Sequence, residues 1–64
     1  MSVGKKIKGF IDERGIKQSF LAERIGVSQS IMSKMLNEDY TITAIHYYGI
    51  CKALGVPMEQ FFEE

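Results

Sequence analysis

Apolar residues fall at Val3, Ile7, Phe10 and Ile11, the spacing of an amphipathic helix, and Gly15 stops the pattern just after Arg14. Phe20, Leu21 and Ile25 repeat it around Ala22 over a shorter stretch that ends at Gly26. Lys17 takes the N-cap position of this second helix, where Ser or Thr would accept a backbone N–H, a loss of about 1 kcal/mol. Ser28 is a good cap for a third helix, whose apolar side uses Ile31, Met32, Met35 and Leu36 and which ends near Asn37. The run "NEDYTI" from Asn37 to Ile42 reads as a loop. Thr43 caps a fourth helix with Ala44, Tyr47, Ile50, Cys51 and Leu54 on its apolar face and Gly55 as its stop. Pro57 stands in the first turn of a short fifth helix, from which Phe61 closes the core. No alternating pattern is long enough to pair as strands. The predicted fold is all-α, with five helices.

A chain of 64 residues suits one small domain over residues 1–64, with a core that needs good packing or a partner chain. The single Cys51 cannot form an internal bridge, and no Cys/His cluster has metal-ligand spacing, so neither a metal nor a cofactor is expected. No apolar run approaches ~20 residues, and the start "MSVGKKIKGF" lacks the pattern of a signal peptide. A soluble cytoplasmic protein without membrane contact is expected. Net charge is zero, which taken alone argues against a strongly basic nucleic-acid binder. The distribution changes that: up to Gly26, six basic residues stand against three acidic, a balance of +3, and the rest of the chain carries −3. One face can therefore be positive while the whole is neutral.

Two helices meeting at a sharp corner need a small residue where their backbones approach and a residue tolerant of positive φ at the bend. Ala22 and Gly26 meet both needs. Together with the blocks "GKKIKGFIDERGIKQ", "LAERIGVSQSIMSKMLN" and "ICKALGVPMEQFF", which follow one another in order over nearly the whole chain, they make the sequence resemble the lambda-repressor-like (XRE or Cro-type) helix-turn-helix family. The resemblance implies a compact five-helix DNA-binding domain in which 18–25 is the positioning helix and 29–36 the recognition helix that enters the major groove. It implies base reading by Gln29, Ser30, Ser33 and Lys34, and phosphate contacts at Gln18, Ser28 and Asn37. Residue chemistry agrees: Gln bonds bidentately to adenine, Ser accepts several patterns, and Lys reaches guanine or phosphate. The function implied is a sequence-specific transcriptional regulator of bacterial or phage type, a repressor, acting as a homodimer on a near-palindromic site in double-stranded DNA. The competing expectation is a protein-interaction module on the same fold, an antirepressor or regulatory subunit.

Three departures from the family pattern bear on this. Glu38 and Asp39 stand where the family has backbone-gripping basic residues, so one copy should bind DNA weakly. Ile11 and Leu36 occupy positions where many relatives pair a buried arginine with a glutamate, and an apolar pair avoids the desolvation of ions. Tyr40, Ile42, Ile45, Tyr48 and Phe62 make an apolar surplus that suits a homodimer contact, and Gly49 inside the fourth helix suggests close approach of another backbone or ring. His46 has no second ligand nearby for a metal and no Ser or Cys spaced for a triad. An enzyme is not expected, nor a small-molecule ligand.

Overall fold

The computed structural model describes residues 2–37 and 41–62. In chain order it holds α1 (Val3–Arg14), α2 (Gln18–Ile25), α3 (Gln29–Leu36) and α4 (Ala44–Leu54), followed by a 3-10 turn over Met58–Phe61. The expected fifth helix is therefore a 3-10 turn, and Pro57 stands just before it as its N-cap. Bonds from Gln60 N to Pro57 O (3.0 Å) and from Phe62 N to Glu59 O (3.1 Å) close this turn with the tight three-residue spacing. No strand occurs among the described residues.

Local chemistry sets the helix limits. Ser2, Ser28 and Thr43 each accept a first-turn N–H through the side chain, from Lys5, Ile31 and His46. Lys17 makes no such bond, so α2 begins without a side-chain cap, as its sequence predicts. The corner between α2 and α3 is made by Gly26 at φ 75°, a conformation that costs most side chains about 1–2 kcal/mol. Its N–H bonds to Glu23 O, and Val27 N reaches back to Ala22 O at 3.0 Å. This paired closure recurs after α1 and α4, and in each case the residue after the glycine (Ile16, Val27 or Val56) packs against the core. The same few residues end a helix and anchor the next segment.

Ile7 and Ile11 from α1, Leu21 and Ala22 from α2, Met32 and Leu36 from α3, Ile50 and Cys51 from α4, and Phe61 from the last turn form one buried cluster. Met35 is also fully buried. Ile11 and Leu36 are both at 0% exposure within this cluster. A fully buried side chain of that size contributes roughly 1.5–3 kcal/mol. The methionines Met32 and Met35 fill core space on α3, a use suited to their unbranched, adaptable side chains.

Three residues expected on apolar stripes lie elsewhere, and Gly49 serves a purpose other than the expected one. Phe20 is 38% exposed, one step of about 100° off the Leu21 and Ile25 stripe, and the Arg24 guanidinium lies over its ring at 5.0 Å. Ala44 is exposed in the first turn of α4, and Ile31 is half-buried outside the core cluster. Gly49 answers a neighbour within the chain rather than a partner: a Cβ there would meet the Ile25 side chain, so its small size lets α4 lie against α2.

Candidate functional site

The residues from Gly26 to Asn37 form the geometric unit that sequence reading singles out. Ser28 leaves the corner in extended conformation, and its Oγ accepts from Ile31 N at 3.1 Å. From this cap α3 turns through about 100° per residue, which divides its side chains cleanly. Met32, Met35 and Leu36 point into the core at 0% exposure, Ser30 and Lys34 are exposed opposite them, and Gln29, about 20° from Leu36 around the helix, is exposed at its first position. Ser33 lies between these two groups and is half-buried. Burial of three apolar side chains thus fixes the rotation of α3, and that rotation determines which polar residues face outward.

The end of α3 is tied internally. Asn37 Nδ2 donates to the Ser33 carbonyl at 2.9 Å and to Ser33 Oγ at 3.3 Å, and the Asn37 backbone N–H also reaches the Ser33 carbonyl. These two candidate residues therefore brace one another, the Asn37 side chain adding a second donor to the Ser33 carbonyl that its own backbone N–H already reaches. Ser28 likewise has a structural duty as a cap. Gln18 is half-buried at the first position of α2, next to the N-cap that lacks a side-chain bond. Lys34 is the one charged residue of α3. Of the seven candidate residues, Ser30 and Lys34 share one exposed side, Gln29 is exposed at the first position of the helix, Ser33 and Asn37 form a bonded pair, and Gln18 and Ser28 stand at the two helix starts. Glu38 and Asp39, expected to weaken phosphate contact, lie outside the described residues, as does Tyr40 of the apolar surplus.

The rest of that surplus divides in two. Ile45 (80% exposed) and Tyr48 (52%) stand on the outer side of α4, with Lys52 Nζ over the Tyr48 ring at 5.6 Å. Phe62 (59% exposed) and the half-buried Ile42 instead line an open groove of about 880 Å³ between the starts of α1 and α4 and the 3-10 turn. Phe62 stacks on Tyr47, with ring centroids 5.0 Å apart and planes 13° from parallel. The Tyr47 hydroxyl donates to the Met58 carbonyl and so holds the 3-10 turn against α4. Burial, and next a bond with Cys51, push the Tyr47 phenol above its ordinary pKa. Sequence reading passed over this latch, along with the Ser2 cap and the Arg14 guanidinium 3.8 Å above the Phe10 ring. A serine directly before the first helical residue was a readable cap signal; the aromatic contacts had no local signal.

No group of three metal-ligating side chains occurs among the described residues, and no helix there is long and apolar enough to cross a membrane. A family model described as the Cro/C1-type HTH DNA-binding domain matches residues 6–63. No curated protein matches the chain at a significant level.

Proposed function

The chain belongs to the Cro/C1-type helix-turn-helix DNA-binding family, and from that premise we propose that it is a cytoplasmic transcriptional repressor, binding a near-palindromic operator as a homodimer. The observation that carries the reading is the exposed surface of α3: Ser30 and Lys34 are exposed opposite the buried Met32, Met35 and Leu36, and Gln29 is exposed at the helix start next to them. In the complex, α3 lies in the major groove. Gln29 reads an adenine edge, Ser30 a neighbouring base, and Lys34 a guanine or a phosphate. Ser33 sits between them at the groove floor, and its bond to Asn37 keeps both residues at a fixed height above the DNA backbone.

Phosphates are met at the helix starts. The first amides of an α-helix have no partner within it, and the partial positive charge there favours an anion. Ser28 takes the amide of Ile31, so those of Gln29 and Ser30 serve one phosphate, and the uncapped start of α2 at Gln18 serves another. Repression follows from occupancy of the site. With few positive charges near the groove, a single copy holds DNA weakly, and a two-fold pair with recognition helices about 34 Å apart, one DNA turn, supplies the missing affinity.

The competing reading, a protein-interaction module, draws support from Ile45 at 80% exposure. Selection of bound duplexes from a random library at low salt separates the two. Enrichment of a palindromic site, with base preference relaxed in Gln29→Ala, supports the repressor. Failure of the wild-type protein to enrich any sequence would overturn it in favour of the interaction module.

A further inference from the structure

Resting on the reading of α3 as the helix that enters the groove, we propose that Asn37 is a positioning residue of the recognition surface, in place of the phosphate contact that the resemblance implies. By spending its donors on Ser33, it makes Ser33 a hydrogen-bond donor to a base edge. An asparagine has two donors on its side-chain amide and one on its backbone. In Asn37 all of them are engaged within the chain. Nδ2 reaches the Ser33 carbonyl at 2.9 Å and Ser33 Oγ at 3.3 Å, and the backbone N–H reaches the same carbonyl at 3.0 Å. The orientation of the amide follows from chemistry: a carbonyl oxygen only accepts, so the group beside it must be the NH2. The function left to the Asn37 side chain is Oδ1, an acceptor, which repels a phosphate oxygen instead of binding it.

The same bond sets the polarity of Ser33. A hydroxyl carries one proton and two lone pairs, and the bond from Nδ2 takes a lone pair. The proton cannot lie on that bond, since the amide nitrogen has nothing with which to accept it. No acceptor for it occurs among the described residues. Ser33 lies about 60° round α3 from Ser30, half-buried at the border of the exposed side, so a base edge that reaches this border meets a donor. In the major groove guanine N7 and O6, adenine N7 and thymine O4 accept, whereas the cytosine amino group donates. An unbraced serine suits either kind. The braced one, set against cytosine, leaves its proton without a partner at a contact that has displaced water, which is unfavourable. Asn37 thus narrows what Ser33 reads without touching a base.

The test is selection of bound duplexes with the wild-type protein, followed by affinities for each base pair at each position of the selected site. Ser33→Ala, Asn37→Ala, both changes together, and Asn37→Asp are compared with wild type. Ser33→Ala marks the position that Ser33 reads, where the wild type is expected to reject cytosine on the contacted strand about tenfold. Asn37→Ala should relax the preference at that same position, and should change nothing further in the Ser33→Ala background. Asn37→Asp keeps the shape but cannot donate. Its carboxylate accepts the Ser33 proton and leaves lone pairs facing the base, so cytosine should become the preferred base there. The added charge weakens every sequence alike and cancels in the ratio, and a merely structural role for Asn37 would leave that ratio unmoved. A loss in Asn37→Ala that is equal for all sequences and persists in the Ser33→Ala background overturns the proposal in favour of a phosphate contact. A wild-type preference for cytosine at the Ser33 position overturns it too, as does an unchanged base preference in Ser33→Ala. These outcomes leave the repressor reading standing. If the wild-type protein enriches no sequence, that reading falls and takes the proposal with it.

Discussion

Ile25 Cγ2 fills the space from which a Gly49 side chain would start, 2.8 Å from where its Cβ would lie. That methyl is fixed to the branched carbon of a partly buried residue, so it has little room to retreat. Gly49→Ala should therefore destabilise the fold: overpacking costs about 1–3 kcal/mol, against a gain of about 1 kcal/mol in helix propensity. Gly9, which has no atom near its missing Cβ, is the matched control. Gly9→Ala should gain about 0.5–1 kcal/mol, a rise of a few degrees in Tm. Thermal unfolding of the two variants is expected to move in opposite directions, and movement in the same direction would contradict the Ile25 account.

Lys17 leaves the start of α2 without a side-chain acceptor although its backbone already has the extended conformation of a cap. Lys17→Ser should stabilise the protein by about 1 kcal/mol, read from urea unfolding. If α2 also receives a phosphate at this end, the same change should alter DNA affinity more than stability alone would, since it provides an internal partner for an amide and removes a positive charge.

Tyr47 predicts a pH dependence. Its pKa is raised in the folded protein, so the folded state holds the phenolic proton more tightly than the unfolded chain does. The associated stability is complete below about pH 10, the ordinary tyrosine value, and is lost as pH rises through the folded value. Tyr47→Phe should cost about 1 kcal/mol near neutrality through the lost bond to Met58, and should flatten the decline at high pH. Parallel stability curves for wild type and variant would remove Tyr47 as its source.

On DNA, Gln29→Ala and Lys34→Ala should fail differently. Loss of Gln29 should cost about 1–3 kcal/mol on the preferred site and relax the base preference at one position. Lys34→Ala, if that side chain meets phosphate, should weaken all sequences alike and reduce the salt slope by about 0.9 per subunit from an expected −2.7 or so for ~3 neutralised phosphates. Affinity measured against salt for both variants checks the assignment.

Helix identity and direction were legible because local chemistry decided them. Ser28, Thr43, Gly15, Gly26 and Gly55 all act in the structure as their residue types predict. Contacts made between elements were not legible. Nothing near Gly49 in sequence points to Ile25, and nothing near Phe62 announces the Tyr47 ring beneath it. Pro57 was placed one residue too far into the last element because a missing N–H suits either the cap or the first turn. At the candidate site, the exposure of Ser30 and Lys34 could be read from helical period, whereas that of Gln29 comes from its place at the helix start and the Ser33 to Asn37 brace needed the geometry of the helix end.

The interior that joins Ile11 to Leu36 holds no buried polar or charged side chain among the described residues. Dissolved ions act instead on exposed charges such as the Lys8–Asp12 pair, 2.9 Å apart at the surface, where screening removes at most about 1 kcal/mol. The response of the scaffold to ionic strength therefore originates at its boundary with the solvent, and unfolding measured across the same salt series gives the baseline against which ions shed from a nucleic acid are counted.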